Sequence, residues 1–213
     1  MKLKTLFGVA LFAALTYSCK NENKDAPSVE DPKLVKENAV KDSIAEAEQA
    51  EIVTAKQDSA EASKIKAYAV KRISGKHTYP DDKTTVEYTS LYHELKNVRE
   101  IAAKEMWTDE KLNQTISEYK NFAKGGIVTL NVERLTIASA NNEMFTVIIK
   151  DANDNEIYRK DLESDIPEYS SRKDIWWNIG SVFIPNRVKA PFYIYFVDKM
   201  EKGPFKYEVT AVK

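Results

Sequence analysis

The stretch Gly125-Gly-Ile-Val-Thr-Leu-Asn-Val132 marks the point at which the periodicity of the chain changes. Before it, apolar residues recur every three or four positions, whereas within it Val128, Leu130 and Val132 alternate with polar residues. The first spacing is typical of an amphipathic helix, and a period of two is typical of a strand with one buried face. The two glycines therefore mark the junction between a helical and a β-rich region.

Downstream of this junction, short apolar stretches are separated by turns rich in Asn, Asp, Gly and Pro. Phe145, Val147 and Ile149 share one face of the next predicted strand. Further strands are predicted at residues 156–159, 175–184, 191–198 and 205–212. About six short strands with such turns favour an antiparallel β-sandwich.

Upstream of the junction, the sequence predicts a strand at residues 84–88 and two helices. The first helix covers residues 91–105. The second begins after Thr108 as N-cap, with Asp109 and Glu110 in the first turn, where the helix dipole favours acidic groups. The fold class is therefore α+β, an antiparallel β-sandwich preceded by two short helices and a long charged N-terminal helix or tether.

The tether is predicted from composition, because residues 20–67 contain no aromatic side chain. Such a segment buries too little apolar surface to offset its ordering entropy in a packed core. Asp31 and Pro32 supply an N-cap and a first helical residue, so we expect an exposed helix over residues 32–68. A helix of that extent reaches roughly 50 Å. It would act as a spacer.

The N-terminus has the pattern of an export signal. Lys2 and Lys4 precede an apolar run at residues 6–15, which is too short to span a bilayer of about 30 Å. The following Leu15-Thr-Tyr-Ser-Cys19 resembles the lipobox of bacterial lipoproteins, although Tyr17 departs from the small residue usual there. The alternative is an ordinary signal peptide with a chance cysteine.

The resemblance to lipoproteins implies that the chain is cut before Cys19 and that the cysteine receives lipid. Residues 20–25 resemble the surface-export signal of Bacteroidota lipoproteins, or are simply the solvated start of the tether. The predicted organisation is a signal peptide at residues 1–18, the lipidated cysteine and tether at 19–67, and a globular domain at 68–213. The expected location is a bacterial membrane, with the outer membrane favoured and its two sides left open.

Composition excludes several classes of function. The 32 basic and 33 acidic residues give a net charge of −1, so no basic surface indicates nucleic acid as a partner. Cys19 is the only cysteine, so no internal disulfide can form. His77 and His93 are the only histidines, and neither lies in a recognisable nucleophile or zinc motif. We therefore expect a protein that is not an enzyme and has no cofactor or metal, and His93 is interpreted as an ordinary helix-surface residue.

The acidic loop at residues 151–156 is compared with a calcium-binding loop. Counted from Asp151, the position that needs glycine is Glu156, and the position that needs a bidentate glutamate is Leu162. The loop is therefore interpreted as a β-turn whose Asn and Asp residues tolerate left-handed dihedrals. Calcium binding of another kind is the alternative left open.

Aromatic residues are the remaining candidates for binding. Trp176 and Trp177 are neighbours in a predicted strand, so their side chains point to opposite faces, and Tyr193 and Tyr195 share one face of the next strand. Exposed, such rings would stack on sugars. The alternative is that the two helices cover and bury them, as is usual for large aromatic side chains.

The stretches at residues 149–151, 156–159, 176–178 and 191–195 resemble uncharacterised lipoprotein domains of Bacteroidota. The resemblance implies a location and no mechanism. Two functions are therefore expected as alternatives. The first is a non-catalytic binding or structural module that meets another envelope protein. The second is glycan binding through Trp176 or Trp177 with Tyr193 and Tyr195. In both, lipid on Cys19 makes the membrane a partner.

Overall fold

A computed structural model describes residues 63–212. Their strands form two antiparallel sheets, as the alternating pattern predicts. One sheet has five strands in the order β1-β9-β8-β4-β5, and the other has four in the order β2-β3-β7-β6. The strands are β1 (Ala67–Ser74), β2 (Lys83–Thr89), β3 (Ile127–Arg134), β4 (Phe145–Lys150), β5 (Glu156–Asp161), β6 (Glu168–Ser170), β7 (Ile175–Phe183), β8 (Phe192–Asp198) and β9 (Phe205–Val212).

The core lies between the sheets and consists of alternate residues from their inner faces. Successive side chains of a strand point to opposite faces, so each core strand contributes every second residue. The buried inner-face residues include Val128, Leu130, Val132, Phe145, Val147, Ile149, Phe192, Ile194, Phe196, Phe205, Tyr207 and Val209. The fold is thus a β-sandwich, and the predicted fold class is confirmed.

The helices lie between the second and third strands rather than ahead of the sandwich. Helix α1 (Leu91–Lys104) is capped by Ser90, a cap that was not predicted from the sequence, and α2 (Asp109–Phe122) is capped by Thr108, as predicted. Leu95, Val98 and Ala102 are buried on α1. On α2, Leu112, Ile116 and Tyr119 are half-buried and Phe122 is exposed. The Tyr119 ring lies 6.0 Å from the ring of Phe183 on β7. A four-residue helix, α3 (Ile137–Ala140), and a 3₁₀ turn at Asn142–Met144 follow β3.

The glycines at the helix-to-strand junction are required by geometry. Gly126 has a φ of 92°, in the left-handed region that favours glycine. A Cβ atom there would lie 2.5 Å from the carbonyl oxygen of Thr89, on the neighbouring strand. The change of period at these glycines therefore coincides with a close backbone approach.

Two strands were not expected from the sequence. The helix predicted over residues 32–68 is wrong over residues 63–68, where the structure has a turn, two irregular residues and the start of β1; its larger part lies outside the described residues. The physical reason is that Tyr68 and Val70 pack against the sandwich core, while β1 forms hydrogen bonds with β9. Tertiary pairing outweighs local helix propensity here. Strand β6 has three residues, too few for a visible alternation.

Candidate functional site

The two neighbouring tryptophans point to opposite faces of the four-stranded sheet. Trp176 faces inward, opposite Arg134 in the strand register, and its ring lies 5.1 Å from that of Tyr169. Trp177 faces outward, in register with Glu133 on one side and Glu168 on the other. Both tryptophans are half-buried. The expected division into one inward and one outward ring is therefore present.

The two tyrosines lie on the outer face of the other sheet. Lys206 Nζ lies 3.9 Å from the ring centroid of Tyr193 and 5.0 Å from that of Tyr195. Lys150 Nζ is 5.0 Å from the Tyr195 ring. The Tyr195 hydroxyl donates to the Asp154 carboxylate at 2.6 Å. This bond and the one from Lys150 lower the pKa of Asp154 to about 2.

The four aromatic candidates thus do not form one platform. Tyr193 and Tyr195 are brought together with two ammonium groups and a carboxylate. Trp177 lies on the opposite outer face of the sandwich, and Trp176 lies on an inner face. A tryptophan and these tyrosines cannot contact one small ligand together.

The acidic loop at residues 151–156 is a tight turn between β4 and β5. The Asp151 carboxylate accepts hydrogen bonds from the backbone N–H groups of Asn153 and Asn155 and from the Asn155 side chain. The Asn155 side chain contributes most to lowering the pKa of Asp151. Asp154 has a φ of 66°, which Asp tolerates in turns. The Asp151 oxygens therefore stabilise the turn itself, whereas the Asp154 carboxylate binds Tyr195 outside it.

His93 belongs to the cap of helix α1. Its Nδ1 lies 2.8 Å from the Ser90 hydroxyl, and its backbone N–H donates to the same oxygen at 3.4 Å. The Tyr68 ring meets its imidazole edge-on at 6.2 Å. Its role in these contacts is structural.

A charged cluster that the sequence reasoning missed lies buried at one end of the sandwich. We call it the buried charge cluster and define it as His77, Asp82, Arg134, Asp198 and Glu201. Arg134 is 1% exposed and ends β3 on its inner face. Its guanidinium donates to Asp198 at 2.8 Å and to the carbonyl oxygen of Lys83 at 2.6 Å. Its Nε lies 3.7 Å from the Asp82 carboxylate.

The other half of the cluster joins two connecting segments. His77 and Asp82 lie between β1 and β2, and Glu201 lies between β8 and β9. His77 Nδ1 is 3.1 Å from Glu201 Oε1, and the Thr78 backbone N–H and hydroxyl also donate to this carboxylate. The connection that carries His77 is thereby held against the end of β8.

Burial changes the acid–base properties of these groups. It lowers the pKa of His77, which keeps the imidazole neutral, and it raises the pKa of Asp82. Burial also raises the pKa of Glu201, but the hydrogen bonds from Thr78 and His77 outweigh it and leave the pKa below its ordinary value. The cluster therefore combines a neutral imidazole with carboxylates in a poorly solvated place.

A signal for part of this cluster is present in the sequence. Arg134 has the same parity as the inward residues Val128, Leu130 and Val132 of β3, and Asp198 has the parity of the inward residues of β8. Two opposite charges at core positions predict a buried ion pair. His77, Asp82 and Glu201 lie in turns, where no periodicity reveals which side chains are buried.

No known protein family matches the chain, and no match was found among curated proteins or solved structures. Within residues 63–212, no helix combines the length and the hydropathy needed to cross a membrane.

Proposed function

We propose that the chain is a bacterial envelope lipoprotein, held on a membrane through lipid on Cys19, whose folded domain is a non-catalytic module that binds another envelope protein. Cys19 lies outside the described residues, so the anchor rests on the sequence pattern alone. The binding role rests on one observation. Strand β7 carries a row of large apolar side chains, Trp177, Ile179 and Phe183, on the outer face of the four-stranded sheet.

Two of these three side chains are exposed. Ile179 is 50% exposed and Phe183 is 42% exposed, while Trp177 is half-buried. Trp177 and Phe183 are six positions apart along the strand, a span of about 20 Å at 3.3 Å per residue, with Ser181 between Ile179 and Phe183 on the same face. Aligned apolar groups of this kind, with an aromatic residue at each end, are typical of protein contact surfaces. We call this row the β7 face.

Charged residues border the β7 face beside Trp177. Glu133 binds Lys173 at 2.6 Å and lies 3.7 Å from Lys83. The same three residues line an open depression of about 450 Å³. An apolar centre with a charged rim is the usual anatomy of a transient protein interface. The β7 face would be complementary to a protein surface that has protruding apolar side chains surrounded by charges of both signs.

The second candidate is glycan binding at Tyr193 and Tyr195. The observation that favours it is the pairing of two outward rings with Lys150, Lys206 and Asp154, which are donors and acceptors suited to sugar hydroxyls. Because Lys206 lies over Tyr193, a sugar that stacks there must displace an ammonium group. Sugars bearing carboxylates are therefore favoured over neutral ones.

Site-specific photo-cross-linking in intact cells tests the protein-binding proposal. A photoreactive residue replaces Ile179 on the β7 face or, as the control, Thr210 on the outer face of the other sheet. We expect one protein adduct from position 179, abolished by Phe183→Ser, and none from position 210. Equal adducts at both positions, or none at 179, contradict the proposal.

A glycan panel tests the alternative with the same protein. Binding that is lost in Tyr193→Ala and Tyr195→Ala and unchanged in Ile179→Ser assigns the function to the tyrosine surface. If no glycan is bound, that candidate is excluded.

Metabolic labelling tests the anchor. Cells supplied with labelled palmitate should yield labelled protein in the membrane fraction, and Cys19→Ala should lose both label and membrane association. Protease treatment of intact cells then determines the side of the membrane. Digestion of the domain indicates the surface, and protection until the outer membrane is opened indicates the periplasm.

A further inference from the structure

The buried charge cluster brings three metal-binding side chains together. Among residues 63–212, His77, Asp82 and Glu201 each offer one ligand atom, and these atoms lie within 4.8 Å of one another. Zinc–nitrogen and zinc–oxygen bonds are about 2.0–2.2 Å, so two ligands of one tetrahedral zinc lie about 3.3–3.5 Å apart. The distance of 3.1 Å between His77 Nδ1 and Glu201 Oε1 is close to this separation. Asp82 needs only a small side-chain movement to complete the set.

The charges of the cluster call for a divalent cation. Arg134 and Asp198 form a neutral pair, with side chains 1% exposed on both sides. Asp82 and Glu201 then remain, with side chains 9% and 3% exposed. Two carboxylates beside a neutral imidazole leave the cluster with two net negative charges, which the hydrogen bonds to Glu201 and the contact of Arg134 with Asp82 compensate only in part. One divalent cation neutralises both carboxylates.

Hydrogen bonds hold the Arg134 guanidinium away from the place between Asp82 and Glu201 that a metal ion would occupy. Its guanidinium donates to Asp198, to the Thr84 hydroxyl and to two backbone carbonyl oxygens. These bonds fix the group on the β2–β3 side, where it contacts Asp82 only at 3.7 Å. A ligand oxygen of Asp82 and one of Glu201 lie within 4.8 Å of each other, so a second cation can contact both.

The histidine presents its Nδ1 to the Glu201 carboxylate. Its side chain is 10% exposed. Zinc between the two side chains would bind this Nδ1 and take the place of the proton in the present hydrogen bond. The tautomer that binds zinc through Nδ1 carries its proton on Nε2.

We propose that His77, Asp82 and Glu201 form a zinc site that fastens the β1–β2 connection to the β8–β9 connection. An imidazole with two carboxylates suits zinc better than calcium or magnesium, which prefer oxygen ligands alone. Three protein ligands leave a fourth position for water. The site does not depend on the proposed partner or on the β7 face.

Zinc binding to the full-length, detergent-solubilised protein tests this proposal. After treatment with a chelator, the protein is titrated with ZnCl₂ against a chromophoric competitor, and thermal unfolding is followed with and without the ion. We expect a single zinc ion per chain and a rise in Tm of about 5 °C or more at saturating zinc. Calcium and magnesium at the same concentration should produce smaller shifts.

Matched variants locate the ion. His77→Gln and Glu201→Gln should each weaken zinc binding at least tenfold and remove the shift in Tm. His93→Gln removes the only other histidine of the chain, and Asp165→Asn removes an exposed carboxylate; both should bind zinc like the wild type. If a cluster variant does not fold, X-ray absorption of the wild-type zinc complex replaces it and should show one imidazole among oxygen ligands.

The proposal is overturned if the wild type gains no stability from zinc, or if His77→Gln binds zinc as tightly as the wild type does. It is also overturned if calcium stabilises the protein more than zinc. In each case the cluster is a hydrogen-bonded network alone.

Discussion

Arg134 illustrates how a charged side chain can be buried in a protein core. A guanidinium loses its hydration in the core, and only a set of well-placed acceptors offsets that loss. The Asp198 carboxylate, the Thr84 hydroxyl and two backbone carbonyls supply those acceptors. Removing the arginine therefore takes the cationic partner from the buried Asp198 carboxylate, which keeps the hydrogen bond from the Met200 N–H.

We expect Arg134→Leu to lower the free energy of unfolding by about 3–5 kcal/mol, because it leaves Asp198 buried and unpaired. The control is Arg159→Leu, which breaks the exposed pair with Glu156 and should cost less than about 1 kcal/mol. Urea unfolding of both variants measures the difference. A loss for Arg134→Leu no larger than the control's would contradict the buried pair, and Asp198→Leu added to Arg134→Leu should recover part of it.

Asp154 shows the opposite case, a carboxylate at the surface whose pKa is set by its neighbours. The hydroxyl of Tyr195 and the ammonium of Lys150 bind its charged form and lower its pKa to about 2. The lowered pKa means that the folded state holds this proton less tightly than the unfolded state. The resulting stabilisation is fully present above about pH 4 and is lost as pH falls toward 2.

We expect Tyr195→Phe to raise the pKa of Asp154 toward its ordinary value, because the largest contribution to the shift is the tyrosine hydrogen bond. Carboxyl carbon chemical shifts, followed by NMR between pH 1.5 and 6, measure it. Tyr193→Phe is the matched control, since the Tyr195 hydroxyl remains. An equal shift in both variants would show that the hydroxyl of Tyr195 is not the cause.

At the scale of elements, local signals determine where the helices begin and where the sheet starts. Thr108 precedes acidic residues that favour a helix N-terminus, and α2 begins at Asp109 as expected. Gly126 then begins the connection to β3 in a conformation that side chains with a Cβ atom rarely adopt. The neighbouring strand β2 adds a second constraint, because the Thr89 carbonyl closes the space.

We expect Gly126→Ala to destabilise the domain by more than about 1 kcal/mol, through its positive φ and its contact with β2. Gly203→Ala is the control, because a Cβ atom at Gly203 would meet nothing within 4 Å. Thermal unfolding of the two variants gives the comparison. Equal Tm values would show that the junction relaxes without cost.

At the scale of the whole molecule, the order of strands connects distant parts of the sequence. Strand β1 pairs with β9, so the first and last described strands lie side by side at the edge of one sheet. Lys66 N–H donates to the Val212 carbonyl at 2.9 Å and extends the pairing by one bond. Strand β1 is therefore part of the folded domain, although the sequence predicts a helix up to residue 68.

We expect a version beginning at residue 63 to unfold cooperatively and one beginning at residue 76 to melt at a lower temperature and self-associate. Removal of β1 leaves β9 as an unprotected edge and uncovers apolar core side chains. Calorimetry and light scattering at matched concentrations measure the two effects. If the shorter version matches the longer one in both, β1 contributes nothing to the sandwich.

The sequence by itself determined the class of the fold, because strand periodicity, helix caps and the glycine junction are local consequences of side-chain direction and backbone sterics. It also predicted that Trp176 and Trp177 point to opposite faces, since that follows from the pleat alone. Only the tertiary structure decided which residues meet. The separation of the tryptophans from Tyr193 and Tyr195, the pairing of β1 with β9, and the gathering of His77, Asp82 and Glu201 join parts of the chain far apart in sequence. Their proximity depends on strand order and sheet packing, which the pattern of any single segment cannot predict.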